Sequence, residues 1–182
     1  MRSGDGHVLR LTDGSELTIR SIRPDDAPLL QDFVRRLSAR SRRFRFFVAL
    51  AELSATQLQR FVNVDPAWGV ALVALSERGG RTDIVAEARY ALEQEDSGAE
   101  FAIAVADDFQ RRGLGTRLVR RLRALAWRKG VRRLFGEIKS DNGAMLALAA
   151  RLGFRVRASI HDESIVVASA FRTAASANER FA

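Results

Sequence analysis

The stretch from Ala99 to Ala126 limits the folds open to this chain more tightly than any other part of it. Ala99-Glu100-Phe101-Ala102-Ile103-Ala104-Val105 reads as a strand, and Asp107-Asp108-Phe109 as a short polar loop. Leu118, Val119, Leu122, Leu125 and Ala126 then fall on one helical face. Between loop and helix stands Gln110-Arg111-Arg112-Gly113-Leu114-Gly115. A glycine pair at such a turn lets the main chain come close to a ligand. The first N–H groups of the helix have no partner within it and point at anionic oxygen. The helix dipole adds about 0.3–1 kcal/mol for each such contact, and Arg111, Arg112 and Arg117 add charge of the same sign. A phosphate-bearing ligand is therefore expected here. Two common nucleotide motifs do not fit: a Rossmann fingerprint needs a third glycine where Leu118 stands, and a P-loop needs Gly-Lys-Ser/Thr where the chain has Gly115-Thr116-Arg117.

The remaining pattern predicts a single domain. Residues 15–22 alternate around Leu17 and Ile19 as a strand, and Pro24 breaks the chain before a helix over about 25–38, capped by Asp25 or Asp26. Arg40 to Phe47 reads as a basic, aromatic connection. Ser54-Ala55-Thr56-Gln57 has the form of a capping box and opens a second helix. Strands follow at 70–75 and 84–90 around a Gly79-Gly80 turn, and again at 131–138. Asp141 is expected to cap a helix carrying Met145, Leu148, Ala149 and Leu152, which Gly153 ends before two last strands. The order βααβββαβαββ predicts an α/β (α+β) domain over 15–170: a mixed central sheet of six to seven strands flanked by about four helices. Residues 1–14 read as an N-terminal extension and 171–182 as a tail.

Composition removes several chemistries. The chain has no cysteine, so disulfides, zinc-thiolate sites and thiol nucleophiles are excluded. Its two histidines, His7 and His161, lie at opposite ends, which argues against a metal site or a serine–histidine hydrolase. No apolar run approaches the roughly 20 residues of a membrane span, and the start lacks a signal-peptide pattern, so a cytoplasmic protein without a membrane partner is expected. A net charge of +8, almost all from arginine, favours anionic partners without choosing among them.

Gln110-x-x-Gly113-x-Gly115 after an apolar strand resembles the pyrophosphate-binding motif of the GNAT superfamily of N-acetyltransferases. Asn142 followed by Gly153-Phe154 resembles the next motif of that superfamily, and the element order is similar to its fold. Leu17 to Asp26, then Leu37-Ser38 and Ser41-Arg42 through Arg45-Phe46-Phe47, resemble the acetyltransferase domain of bacterial Pat-type protein lysine acetyltransferases. The resemblance implies acetyl-CoA as co-substrate with no metal. The backbone of Ile103, Ala104 and Val105 would hold the pantetheine arm. Gln110 and the amides of Arg111, Arg112, Gly113, Leu114, Gly115 and Thr116 would hold the pyrophosphate, with Asn142 at the arm or the adjacent sheet. As a bare sequence feature Asn142 reads equally as a helix-start residue.

The acceptor implied is a primary amine, foremost a protein lysine. An unperturbed lysine amine has a pKa near 10.4, so about one in 2,500 is free at pH 7 and a base is needed. Glu100, among apolar neighbours at the start of its strand, is the first candidate, and it matches the glutamate proposed as base in the Pat-type enzymes; Glu87 and Glu137 are weaker ones. Many superfamily members carry a tyrosine seven residues after the asparagine as general acid, and here that position is Ala149, with Tyr90 a poor substitute on another strand. Other readings are a small-amine acetyltransferase, a non-catalytic acyl-CoA sensor and, least favoured, a nucleic-acid-binding domain built on Arg40–Phe47. Phe44, Phe46 and Phe47 are expected to anchor that connection with its arginines outside, Arg42 and Arg43 meeting the acceptor. The strand near 163–170 leaves pairing between subunits open.

Overall fold

The computed structural model describes residues 6–93 and 98–173. Among them, eight strands form one sheet in the order β1-β2-β3-β4-β5-β6-β8-β7. In chain order the elements are β1 (His7–Arg10), β2 (Glu16–Ser21), α1 (Ala27–Arg36), α2 (Ala39–Phe46), α3 (Ala55–Val62), β3 (Gly69–Arg78), β4 (Arg81–Leu92), β5 (Gly98–Val105), α4 (Leu114–Arg128), β6 (Arg133–Lys139), α5 (Gly143–Arg151), β7 (Arg155–Ala158) and β8 (Ile165–Phe171). This is the expected mixed α/β fold with one strand and one helix more than the sequence pattern predicted. None of these helices is long and apolar enough to cross a membrane.

β3 and β4 are interior strands of the sheet, and their runs Ala71–Ser76 and Ile84–Ala88 are buried on both faces because helices cover both. Arg89 of β4 donates to the Phe61 carbonyl, which fixes α3 to one face. Ile103 and Val105 meet Gly115 on the other face, where α4 buries Leu118, Val119 and Leu122. The expected capping box of α3 forms, Gln57 N donating to Ser54 Oγ at 3.2 Å and Ser54 N to Gln57 Oε1 at 2.9 Å.

Several expectations are corrected. His7–Arg10 belongs to the sheet as an edge strand against β2, with Leu9 and Leu11 buried, so residues 7–11 are part of the domain. The first helix starts at Ala27, after a 3-10 turn over Pro24–Asp26. The Asp26 carboxylate does not cap that helix by a side-chain bond. It accepts from both terminal nitrogens of Arg20 at 2.6 Å and from Arg23 N at 2.8 Å. At α5 the cap is Asn142, not Asp141: Met145 N donates to Asn142 Oδ1 at 3.1 Å, while Asp141 pairs with Arg43. β8 runs to Phe171, and the expected tail from 174 onward lies outside the described residues.

β5 and β6 are the one parallel pair in this sheet, and their pairing stops early, covering Gly98–Glu100 against Arg133–Phe135. Past that rung the two strands part. At the fork sits Gly136, where an added Cβ would lie 2.8 Å from the Phe101 carbonyl oxygen and 2.9 Å from its ring. Only glycine allows so close an approach. The divergence opens the sheet at its middle and positions everything that follows.

Candidate active site

The gap between β5 and β6 exposes main chain. Ala106 N donates to Val85 O at 2.8 Å, and Glu87 stands opposite Ala104. Antiparallel alternation therefore engages residues 102, 104 and 106 with β4 and turns the peptide groups of Ile103 and Val105 toward the gap. Gln110 Nε2 donates to the Val105 carbonyl at 3.1 Å and to Ser41 Oγ at 3.2 Å, tying the following loop to the strand end. The resulting cleft has a volume of about 1100 Å³, with Ile103, Gly113, Thr116, Phe44, Glu137 and Asn142 among its walls.

At one end of the cleft α4 begins. Gly113 has φ +82° and Arg111 φ +59°, two left-handed residues that fold the loop back upon the helix start. No side chain caps α4, so its first-turn amides stay available to a ligand. A Cβ at Gly113 would touch nothing within 4 Å, so the glycine there answers a backbone need. Gly115 answers a packing need: its Cβ would come within 3.0 Å of Leu148 Cδ1. Leu114 is 1% exposed, so it offers the cleft its backbone alone. The Arg112 guanidinium is bound to Asp13 and stacked on Phe109, whereas Arg111 and Arg117 are exposed. The chain thus has the bare amides and positive charge that a pyrophosphate requires.

The three candidate glutamates share the sheet face away from α4, in three different environments. Glu87 is 2% exposed and lies between Arg89 Nε and Arg45, the latter at 3.2 Å. Burial by itself would push its carboxyl up, but Arg89 and Arg45 outweigh burial and hold it below the usual carboxylate range. It is a buried counter-ion. Glu100 occupies the last paired rung before the strands part, opposite Phe135. Glu100 is exposed and lies just outside the cleft wall, which begins at Phe101. Partial burial still pushes its pKa up, and Glu137 and Glu93 push the same way against Arg45. Glu137 is exposed on the β6 wall.

No tyrosine hydroxyl reaches this face among the described residues. Ala149, at the position where many relatives carry a tyrosine, has no hydroxyl and is fully buried. Tyr90 stands opposite Phe101 and so lies on the α4 side of the sheet, 2% exposed, its hydroxyl without a partner and its pKa raised by burial. Among the described residues no group of three or more His, Asp or Glu could hold a metal ion.

The sequence reading missed the element that roofs the cleft. Residues 39–46 form helix α2, capped by Ser38 Oγ, which accepts from Ser41 N at 3.1 Å. Asp107 clasps this helix start to the loop before α4, accepting from Ser38 N at 2.9 Å and from the hydroxyls of Ser38 and Ser41 at 2.8 Å. The Ser38-x-x-Ser41 spacing was the available signal. Phe46 packs on Phe61 as an anchor, at 6.1 Å between ring centroids, while Phe44 and Phe47 line the cleft. The arginines are not all outside: Arg45 points inward to Glu87, and Arg42 donates to the Arg35 and Leu37 carbonyls at the end of α1. Arg43 does reach across the rim, to Asp141.

Comparison with known proteins agrees with this geometry. Residues 33–154 match the model of the acetyltransferase (GNAT) family. The chain is 36% identical over 151 residues to "Acetyltransferase PA5475" of Pseudomonas aeruginosa, covering 83% of this chain and 81% of that protein. It superposes on the crystal structure of the GNAT domain of S. lividans PAT with a TM-score of 0.82 and 28% identity, over 94% of this chain and 99% of that one. RimL, a ribosomal L7/L12 alpha-N-protein acetyltransferase solved with coenzyme A, shares the fold at a TM-score of 0.70 and 14% identity, over 91% and 98% of the two chains. A forked β5–β6 pair, an uncapped glycine turn at its edge and these matches lead to one conclusion: the chain belongs to the GNAT family and is an acetyl-CoA-dependent acetyltransferase.

Proposed function

We propose that this enzyme acetylates the side-chain amine of a protein lysine, with Glu100 as the general base. The observation that carries the reading is the position of Glu100, at the fork of β5 and β6, on the face opposite α4, with a pKa raised by desolvation. The protein-lysine acceptor rests on the Pat-type pattern at residues 17–26 and 37–47 and on the similarity to the S. lividans PAT domain.

The arm of acetyl-CoA lies along Ile103–Val105 and bonds to the peptide groups turned into the gap, as an added strand would. Its pyrophosphate rests on the amides of residues 111–116, supported by Arg111 and the start of α4. Arg112, held by Asp13 and Phe109, steadies the loop. Gln110 fixes the loop to Val105, and Asn142 sets the opposite wall by capping α5. The lysine amine approaches from the Glu100 face and gives up a proton to that carboxylate, directly or through one water. The N–C bond forms, the C–S bond breaks, and the proton returns from Glu100 to the sulfur, which leaves as the thiol of coenzyme A. No tyrosine hydroxyl takes part.

The test is purified protein with acetyl-CoA, lysine peptides and a panel of small amines, with thiol release and acetyllysine measured together. Acetyllysine should form, and Glu100→Gln should slow it by roughly 10²-fold or more. Turnover confined to small amines would overturn the protein-lysine reading, and full activity in Glu100→Gln would remove the base.

A further inference from the structure

Of the 30 Lys and Arg residues, Lys129 and Lys139 are the only lysines. Arginine stays protonated and is no acyl acceptor at neutral pH. Apart from the chain terminus, an enzyme handling acetyl-CoA thus offers its own thioester two amines. These two lie in very different places.

Lys129 follows the last turn of α4 and donates to the Pro66 carbonyl. It is a whole helix away from the glycine turn, about 22 Å for the 15 residues of α4. Lys139 ends β6, between Ile138 and Asn142, two residues of the cleft wall. Strand alternation puts it on the face shared by Phe135, Glu137 and Glu100. Continuing the Glu100–Phe135 register brings Lys139 level with Ala104 across the gap. Its ammonium rests over the ring of Phe47, another cleft residue, 5.3 Å from the centroid, and 3.4 Å from Ser164 Oγ. Among the described residues no carboxylate lies within salt-bridge distance of it.

We infer that Lys139 is a self-acetylation site, modified in cis by the acetyl-CoA bound in its own cleft. The inference rests on the acetyltransfer reading above. To reach the level of Ala102, beside the fork, the amine has to move back by two residues of strand, about 6.6 Å, and a four-methylene stem covers that span. Its present contacts, a ring face and a long hydrogen bond, are weak restraints. The nitrogen of Lys139 attacks the thioester carbonyl, the C–S bond breaks, and one proton passes from the amine by way of the Glu100 carboxylate, directly or through water, to the departing sulfur of coenzyme A. Acetylation removes the only cation that stacks on Phe47 among the described residues, and so changes the charge and mobility of the rim where α2 meets β6.

The experiment incubates purified enzyme with acetyl-CoA and maps acetylation by peptide mass spectrometry, with a lysine peptide acceptor assayed in parallel. Lys139 should be acetylated at least 10-fold faster than Lys129, at a rate per molecule that does not change with enzyme concentration. Lys129→Arg should leave this signal intact, and Glu100→Gln should suppress it. Equal labelling of the two lysines, labelling indifferent to Glu100→Gln, or a rate rising with enzyme concentration would overturn the inference. Peptide acetylation with Lys139 unmodified would overturn the inference alone. Loss of both would take the acetyltransfer reading with it.

Discussion

Two glutamates on one sheet face have opposite electrostatic fates, and their neighbours decide which. Glu87 is buried with two guanidiniums, which hold its pKa down; Glu100 sits at the fork, partly desolvated and near other acids, which push its pKa up. The rate is therefore expected to rise with pH as Glu100 deprotonates, with the midpoint of kcat/KM above the ordinary 4.5, and Glu100→Gln should abolish that limb while leaving the melting temperature near that of the parent. Glu87→Gln should do the reverse. Removing one member of a buried ion cluster leaves Arg45 and Arg89 uncompensated and costs about 3–5 kcal/mol, measurable as a lower denaturation midpoint. The Glu87 contribution is present above pH 4.5, since its folded pKa lies below the ordinary value, and is lost as pH falls through that lower value. From sequence both were glutamates on neighbouring strands. Arg89 and Arg45 together made the difference at Glu87, and Arg45 comes from a helix some forty residues upstream of it.

The glycines separate two kinds of constraint within the β5–α4–β6 unit. Gly113 is left-handed in open space, so Gly113→Ala should keep the fold, cost about 1–2 kcal/mol of local strain and raise the KM for acetyl-CoA several-fold. Steady-state kinetics at saturating acceptor would show it; an unchanged KM would mean that the turn does not hold the cofactor. Gly136 is tight against Phe101, so Gly136→Ala should cost about 1–3 kcal/mol in stability and force the fork apart. The strand-turn-helix pattern was legible because its apolar residues follow regular periods. α2 was not, because Ala39–Phe46 carries four arginines and no apolar stripe. Its fold comes from the Ser38 cap, the Asp107 clasp and an inward Arg45 paired with a carboxylate that no local pattern announces.

Across the molecule, cofactor binding and folding are linked. A ligand that binds only the folded state adds RT ln(1 + [L]/Kd), about 2.7 kcal/mol at a hundredfold excess over Kd. Acetyl-CoA should therefore raise the melting temperature and slow amide exchange at Ile103, Val105 and the first turn of α4, and Gly113→Ala should shrink both effects. No thermal shift at saturating acetyl-CoA would contradict the cleft assignment.

The linear chain carried the fold class, the βαβ unit around the glycine turn, the family and the missing tyrosine, since each is written in local periodicity or in spacing along a few dozen residues. It did not carry the edge strand at His7–Arg10, the roof of the cleft, the separate fates of Glu87 and Glu100, or the placement of Lys139 on the Phe47 ring at the rim of the cleft. Those depend on pairings between residues far apart in the chain. The pKa of a carboxylate, like the reach of an amine, is set by distances in space that folding alone establishes.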